Sequence, residues 1–237
     1  MTKLSVNINK IATIRNARGG NSPNLVQAAI DIQKFGGQGI TIHPRPDERH
    51  IRYKDAYDLK PIVSTEYNIE GNPKDKFLDL VLDLKPNQVT LVPDAINAIT
   101  SNAGWDTIEH KDYLTEIIDE CKRNGIRTSV FVDPSLKMIE GAARIGADRI
   151  ELYTEAYAEQ YALGNKKAIE PYTECAILAN TLGLGINAGH DLSLDNIKFF
   201  KENIPDLLEV SIGHALISEA LYDGLESVIK KYLERLA

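Results

Sequence analysis

Residues 39–50 read Gly39-Ile-Thr-Ile-His43-Pro-Arg45-Pro-Asp-Glu-Arg49-His50, a short apolar run that leads directly into a loop dense in charge. The apolar run is typical of a short buried strand. Pro44 and Pro46 fix their own φ and bias the residue before each toward extended geometry, so His43 and Arg45 are expected to be held at defined angles. Two imidazoles and two guanidiniums indicate an anionic substrate and proton transfer, with a solvated surface turn as the alternative.

The same sequence of apolar run, polar loop and helical periodicity recurs about eight times in the 237 residues. Such a chain of strand–helix units favours an α/β fold of the (β/α)8 barrel type, and an open doubly wound sheet is the alternative. No linker interrupts the pattern, so residues 1–237 are expected to form one domain. The expected strands are Leu4–Ile8, Gly39–Ile42, Thr65–Ile69, Gln88–Val92, Ile126–Val132, Arg149–Leu152, Gly185–Ala188 and Leu208–Ile212. The expected helices are Pro23–Phe35 with Ser22 as N-cap, Lys54–Val63, Pro73–Leu84 with Asn72 as N-cap, Lys111–Asn124, Asp133–Ile145, Ala168–Leu182, Leu194–Asn203 and Ser218–Leu236.

Composition argues against several classes of protein. A net charge of −7 and a pI near 5.3 disfavour a nucleic-acid binder, which normally carries a basic patch. Cys121 and Cys175 are the only cysteines, so a disulfide framework is not expected and a reducing cytoplasm is the expected location. No run of about 18 apolar residues predicts a membrane span. No glycine-rich dinucleotide or triphosphate motif follows a strand.

Reactive side chains follow the expected strands at their carboxyl ends. Barrel active sites are built at these ends, where residues from different strands converge on one mouth. The candidates are Asn7 at the end of the first strand with Asn9 and Lys10 after it, His43 and Arg45 after the second, Glu70 after the third, Glu151 in the sixth, His190 after the seventh, and Gly213 and His214 after the eighth.

Each candidate also has a structural interpretation. Glu70 or Glu151 could form a local salt bridge at a strand end. His190 could be a core histidine, although Gly189 would let the backbone approach closely. His214 could simply begin a helix, but free backbone N–H groups there could also bind phosphate.

Lys10 could be a Schiff-base nucleophile, but a solvated or phosphate-binding lysine is favoured because no neighbouring residue in the sequence predicts a lowered pKa. A metal site is disfavoured because no histidine pair has the i, i+4 spacing of hydrolytic zinc sites and the arginines would repel a cation. The side chains that could supply metal ligands are His43, His50, His190, Glu70 and Asp191.

Two further stretches suggest a loop over the site and a packing face. The connection from Pro93 to Thr107 is longer than ordinary barrel loops and carries Trp105, so it is either a substrate-covering lid or a packing anchor. Tyr153, Tyr157 and Tyr161 recur every four residues, which would place them on one helical face, with core or subunit-interface packing favoured.

Long motifs occur in order over nearly the whole chain. They are Val6-Asn7-Ile-Asn9-Lys10-Ile-Ala-Thr-Ile-Arg15-Asn-Ala-Arg18-Gly, His43-Pro-Arg45-Pro-Asp-Glu-Arg49-His50-Ile, Asn68-Ile-Glu70, Ile150-Glu151-Leu-Tyr-Thr, Ile186-Asn187-Ala-Gly189-His190 and Ile212-Gly213-His214-Ala-Leu-Ile. Together they resemble the pyridoxine 5′-phosphate synthase family of vitamin B6 biosynthesis. The sequence departs from the usual family pattern at Asn9-Lys10 and at Asp191.

The resemblance implies a condensation of 3-amino-2-oxopropyl phosphate with 1-deoxy-D-xylulose 5-phosphate that needs no cofactor and no metal. It implies a (β/α)8 barrel that assembles as a homo-octamer, while the charge and the lack of a long apolar run indicate that the chain binds neither nucleic acid nor membrane. The implied catalytic residues are His43 and Glu70 as proton acceptors, His190 as proton donor and Glu151 as stabiliser of a charged transition state. The implied binding residues are Asn7, Arg18, Gly213 and His214 for the aminoketone phosphate, Asn9, Lys10, Arg45, His50 and Thr100 for the deoxyxylulose phosphate, and Asp191.

Two other functions fit a barrel with this mouth. One is a metal-dependent phosphosugar epimerase or aldolase, which would need a bound divalent ion. The other is a non-catalytic barrel that binds phosphorylated metabolites without turnover. Turnover of both substrates by metal-free protein separates the synthase from these two.

Overall fold

Eight parallel strands form a closed barrel, in which each strand pairs with the next in sequence and the last pairs with the first. This topology confirms the expected barrel and excludes the open sheet. The computed structural model describes residues 1–93 and 103–237. The strands are β1 (Lys3–Asn7), β2 (Gly39–Ile42), β3 (Glu66–Gly71), β4 (Gln88–Leu91), β5 (Arg127–Val132), β6 (Arg149–Tyr153), β7 (Gly185–Gly189) and β8 (Leu207–Ile212).

Helices surround the barrel and bury their apolar faces against it. In the described residues they are α1 (Asn9–Arg18), α2 (Leu25–Lys34), α3 (Tyr53–Leu59), α4 (Asp75–Leu84), α5 (Lys111–Arg123), α6 (Leu136–Arg144), α7 (Glu155–Ala162), α8 (Glu170–Thr181), α9 (Ile197–Asn203), α10 (His214–Asp223) and α11 (Leu225–Leu236). In α4 the buried residues are Phe77, Leu80, Val81 and Leu84, spaced as an amphipathic helix requires. None of the described helices combines the length and the apolar character that a membrane crossing requires.

The first helix, α1, is not predicted from the sequence. Its buried residues are Ile11, Ala12 and Arg15, so it lacks the long apolar stripe that reveals most surface helices. The helix starts two residues after β1 ends. Asn9 and Lys10 therefore begin a helix at the barrel mouth instead of lying in an extended loop.

Two expected N-caps are wrong. Asn24 caps α2 in place of Ser22, and its side-chain oxygen accepts a hydrogen bond from the backbone N–H of Gln27 at 2.9 Å. Helix α4 begins after Lys74, so Asn72 lies outside it. In both cases the true first turn starts two residues later than the proline in the sequence suggests.

Other helix boundaries also differ from the prediction: the helix expected over Lys54–Val63 ends at Leu59, the one expected from Leu194 begins at Ile197, and the one expected from Ala168 begins at Glu170. The helix expected from Asp133 begins at Leu136. The single closing helix expected over Ser218–Leu236 is two helices, because Gly224 adopts a φ of +81° and ends α10. A positive φ is the conformation that glycine tolerates best, so the chain turns there before α11 begins.

The interior of the barrel is lined by polar side chains, whereas barrel cores are usually filled by branched apolar residues. The hydroxyl groups of Ser5 and Thr41 are 2.7 Å apart, and the Thr41 hydroxyl accepts from Asn68, whose own carbonyl accepts from Thr90 at 3.1 Å. These residues are buried. The apolar residues of the strands face the helices instead, because successive strand residues alternate between the two faces. The barrel thus carries its polar groups on the axis that leads to the mouth.

Candidate active site

At the carboxyl ends of the strands the barrel opens into a cavity of about 320 Å³. Residues at the ends of different strands converge there, as the sequence pattern predicts, although Glu70 lies within β3 and not after it. Its lining consists of Asn7, Asn9, Lys10, His43, Arg45, His50, Glu70, Tyr153, Glu155, His190, Asp191, Ser211, Gly213 and His214.

One histidine–glutamate pair lies between β2 and β3. Nδ1 of His43 is 3.9 Å from Oε2 of Glu70, and both side chains are buried. The same carboxylate accepts from Nδ2 of Asn7 at 3.3 Å and from the Ser211 hydroxyl at 3.4 Å. Burial, reinforced by the positive charge of Arg45, holds the pKa of His43 well below its usual range. His43 is therefore neutral near pH 7 and able to accept a proton.

A second histidine–glutamate pair lies between β6 and β7. Nδ1 of His190 is 3.6 Å from Oε1 of Glu151, which is buried beneath it. Burial raises the pKa of Glu151, against the lowering effect of a hydrogen bond with Thr90. Burial, and then the charge of Arg45, lower the pKa of His190 to about 4. This pair therefore favours a neutral imidazole beside a carboxyl group that can hold a proton.

The backbone and two aromatic rings fix the position of His190. Its φ of +68° is unusual for a residue with a side chain. Its N–H donates to the Ser211 carbonyl at 3.3 Å, and its ring centroid lies 4.8 Å from that of Phe131 and 6.2 Å from that of Tyr153. Gly189 permits this approach, because a Cβ atom there would lie 2.5 Å from the Ser211 oxygen.

The wall formed by Lys10, Arg45 and His50 is basic. Arg45 is buried, and its charge and that of Lys10 add to burial in lowering the pKa of His50 to about 4. The backbone N–H of Ile51 donates to Nδ1 of the His50 ring at 3.0 Å. Fixed cations and a neutral imidazole can together bind an anion such as a phosphate group.

The start of α10 forms another part of the mouth. Gly213 is the N-cap, and His214 is the first helical residue. Unpaired backbone N–H groups and the positive end of the helix dipole make such a start favourable for a phosphate group. A Cβ atom on Gly213 would lie 3.2 Å from the Cβ of Asn7, so glycine also keeps this corner open.

Three lining residues were not predicted as site residues. Tyr153 ends β6, and its hydroxyl donates to Glu155 at 2.5 Å, while Ser211 contacts Glu70 from β8. Tyr153 lies two residues after Glu151, so strand alternation would have revealed its inward direction. The four-residue spacing to Tyr157 suggested a helix instead, which is wrong for Tyr153 because it belongs to the strand.

Glu155 and Asp191 make the opposite rim acidic. Burial, followed by the charges of Glu155 and Glu159, raises the pKa of Asp191 to about 6. The Asp191 backbone N–H donates to the Gly189 carbonyl at 3.0 Å. The cavity is therefore polarised, with cations on one wall and carboxylates on the other.

Some predicted residues lie elsewhere. Arg18 is exposed at the end of α1 and is absent from the lining of the cavity. Glu151 is also absent from the lining and lies below the cavity. Thr100 and most of the expected lid fall outside the described residues. Trp105 is buried, and its ring packs against His110 at 5.2 Å, the geometry of a packing anchor.

Within residues 1–93 and 103–237, no three metal-binding side chains converge as a metal site requires.

Tyr157 and Tyr161 do share a face of α7. Their ring centroids are 5.5 Å apart, and Tyr157 also packs against Tyr172 and Phe200. Tyr157 is fully buried, so this aromatic cluster belongs to the core.

Comparisons with known proteins agree with the site and the fold. The family model described as "Pyridoxal phosphate biosynthesis protein PdxJ" matches residues 4–237. A relative from Flavobacterium johnsoniae, named pyridoxine 5′-phosphate synthase, is 75% identical over 236 residues, with 100% of each chain covered. A second, of the same name, from Christiangramia forsetii is 69% identical with the same coverage.

A solved structure supports the fold alone. Orotidine 5′-monophosphate decarboxylase from Methanocaldococcus jannaschii superposes with a TM-score of 0.69 at 14% identity, covering 100% of this chain and 99% of its own. The full-length family match and the high identity of the relatives confirm the resemblance that the motifs suggested. The chain belongs to the family of the pyridoxal phosphate biosynthesis protein PdxJ.

Proposed function

We propose that this chain condenses 3-amino-2-oxopropyl phosphate with 1-deoxy-D-xylulose 5-phosphate to give pyridoxine 5′-phosphate, inorganic phosphate and water. The observation that carries the proposal is the placement of His43, Glu70 and His190 in one cavity between a basic wall and a helix N-terminus, with Glu151 buried beneath His190. Full-length relatives at 75% and 69% identity carry the name of this synthase.

The cavity offers two places for phosphorylated substrates. The start of α10 at Gly213 and His214, with Asn7 beside it, suits the phosphate of the aminoketone. Lys10 and Arg45 on the basic wall suit the deoxyxylulose phosphate. The further residues proposed for binding are Asn9 and His50 on the basic side, Asp191 at the acidic rim, and Arg18 and Thr100 on the resemblance of their motifs alone.

The chemistry requires proton transfers at several steps. Imine formation between the two substrates, loss of water and phosphate, ring closure and aromatisation each need a base or an acid near the reacting carbon and oxygen atoms. His43 is neutral and would accept a proton, with Glu70 as the neighbouring acceptor. His190 would donate a proton, and Glu151 could resupply it across 3.6 Å and stabilise the charge that develops.

These steps involve only acid–base groups of the protein, and we propose that no metal or organic cofactor takes part. The amine that forms the imine would come from the aminoketone, and Lys10 would serve as an anion-binding cation. Arg45 and Lys10 would disfavour a divalent cation among them.

The test is to incubate both substrates with purified protein and to detect pyridoxine 5′-phosphate by its fluorescence and mass. Production by protein that is metal-free in elemental analysis and insensitive to a chelator supports the proposal. Activity restored only by a divalent ion would favour the metal-dependent epimerase or aldolase. Binding of both substrates without product would favour the non-catalytic barrel.

We also propose that residues 1–237 form one domain and that the chain works in the cytoplasm as a homo-octamer. Large exposed apolar side chains support an assembly, because such surfaces are commonly covered by a partner. At the end of α10, Leu221 is 72% exposed and Tyr222 is 91% exposed. Light scattering should give the mass of eight chains of 26.3 kDa, and a monomer mass would contradict the octamer.

A further inference from the structure

A buried ion pair outside the cavity joins α1 to α3. Arg15 is only 3% exposed, and its two terminal nitrogens donate to the two carboxylate oxygens of Asp55 at 2.7 and 2.8 Å. Asp55 also accepts the backbone N–H of Arg52 at 2.7 Å, which caps the start of α3. A bidentate pair of this kind fixes both partners in orientation as well as in distance.

The same residues of α1 bind the backbone of the charged loop after β2. Arg15 donates to the carbonyl of His50 at 3.3 Å, and the Asn16 amide donates to the carbonyls of His50 at 2.7 Å and Arg49 at 3.2 Å. Nε of Arg15 donates to the Asn16 side-chain oxygen at 3.1 Å, which orients the amide nitrogen toward the loop. We call Arg15, Asn16 and Asp55 the α1 clamp.

The clamp holds the backbone of His50, and a hydrogen bond to the His50 ring defines which of its nitrogens carries the proton. Nδ1 of His50 accepts a backbone hydrogen bond from Ile51 at 3.0 Å, so in the neutral ring this nitrogen carries no proton. The neutral ring must then carry its proton on Nε2. His50 lines the cavity, so its Nε2–H is a candidate donor to a ligand bound there.

We propose that the α1 clamp is a set of positioning residues that hold His50 as an Nε2–H donor to 1-deoxy-D-xylulose 5-phosphate. This inference rests on the proposed function. A hydrogen bond to a substrate oxygen weakens steeply with angle, so the donor is effective only if the backbone on which it stands is held in place. Arg15 and Asn16 hold that backbone at the carbonyl of the residue that carries the ring.

The contacts of the clamp differ from those that simply dock α3. The Tyr67 hydroxyl donates to the Ala56 carbonyl at 3.0 Å, joining α3 to β3 without contacting the loop. Tyr67→Phe is therefore a matched control, since it removes one buried hydrogen bond of α3 and leaves the carbonyls of residues 49 and 50 untouched.

The experiment compares Asn16→Ala, Arg15→Lys and Tyr67→Phe with the wild type. We expect Asn16→Ala to raise the KM and Kd for 1-deoxy-D-xylulose 5-phosphate by about 10-fold, the scale of one or two lost hydrogen bonds. We expect kcat and the KM for the aminoketone phosphate to stay within about twofold of the wild-type values, because the residues proposed for catalysis and for binding that phosphate do not contact the clamp. Tyr67→Phe should change neither KM. Equal changes in both KM values, or unchanged KM values in both clamp variants, would overturn the inference.

Asn16 is only partly buried, so Asn16→Ala is the milder variant, and it decides the outcome if Arg15→Lys fails to fold. A second readout needs no turnover: ¹⁵N NMR of the histidine rings, with the His50 signals assigned by their loss in His50→Gln. The wild type should show the Nε2–H tautomer, and Asn16→Ala should show a mixture of tautomers. An Nδ1–H tautomer in the wild type would overturn the inference. Absence of product from a wild type with the expected tautomer would reject the proposed function and leave the placement of His50 standing.

Discussion

Nδ1 of His190 and Oε1 of Glu151 lie 3.6 Å apart, and both atoms lack a hydrogen-bond partner in the described part of the chain. Two buried polar atoms in this state carry a cost unless a proton or a ligand joins them. The separation is slightly beyond a hydrogen bond, and catalytic hydrogen bonds are often long before substrate binds. We therefore expect substrate binding to bring the donor and the acceptor together.

Replacing the proposed acid and base should stop turnover without unfolding the protein. We expect His190→Ala and Glu70→Gln each to lower kcat by about 10²–10⁴-fold, since each removes a group that would move a proton. Steady-state fluorescence assays of product give kcat, and circular dichroism checks the fold. Glu159→Gln makes the same replacement of a carboxylate by an amide at an exposed position of α7, so it serves as the control for Glu70→Gln. Turnover near the wild-type rate in both variants would contradict the assigned roles.

The proton on Glu151 should appear in the pH dependence. The pKa of Glu151 is raised to about 7, so the carboxyl group loses its proton as pH rises through that value. We expect the ratio of kcat/KM for the wild type to that of Glu151→Gln to fall between pH 6 and pH 8. The ratio cancels the titration of the substrate amine, which affects both proteins equally. A ratio that is constant or rises over this range would exclude a protonated Glu151 from the reaction.

Glu209 should make stability depend on pH. It is buried near the amino end of the barrel, with Oε2 3.9 Å from Nη1 of Arg149, and burial raises its pKa to about 7. A raised carboxyl pKa means that the folded state retains a proton that the unfolded state has released, so this contribution to stability declines from about pH 4.5 to about pH 7. We expect the Tm of Glu209→Gln, relative to the wild type, to rise between pH 5 and pH 8. A Tm difference that does not change with pH would contradict the burial of a titrating Glu209.

Gly189→Ala should affect both stability and catalysis. The added methyl group would lie 2.5 Å from the backbone oxygen of Ser211, so β7 and β8 must separate locally. We expect a loss of about 1–3 kcal/mol in unfolding free energy, together with a fall in kcat as His190 shifts. Urea denaturation and the fluorescence assay measure the two effects. A fully active and equally stable variant would show that the close approach at Gly189 is not needed.

The barrel could be predicted because its signal repeats. Strand β2 has the bounds expected from the sequence, and His43 and Arg45 follow it as expected. Each apolar run with its following helix adds independent support for the same architecture. The residues that end strands could therefore be assigned to one mouth before any distance was known.

The pairings inside the mouth could not be predicted in this way. Contacts such as Glu151 with His190, or Ser211 with Glu70, join side chains far apart in sequence and depend on the register of the closed sheet. Helix α1 was missed because its inner face buries Arg15 along with two apolar residues. The guanidinium of Arg15 forms an ion pair with a carboxylate on another helix, and the hydrophobic periodicity of a sequence cannot reveal such a pair.

The α1 clamp bears on how this mouth could be transplanted. The loop that carries His43 and His50 looks like a self-contained insert in the sequence, yet Asn9 accepts the backbone N–H of His43 at 2.9 Å, and Arg15 and Asn16 bind the carbonyl of His50. A designer who moves only residues 43–50 into another barrel would leave these backbone groups unsatisfied. The smallest graft that keeps the loop in its shape runs from the end of β1 through the first turn of α3.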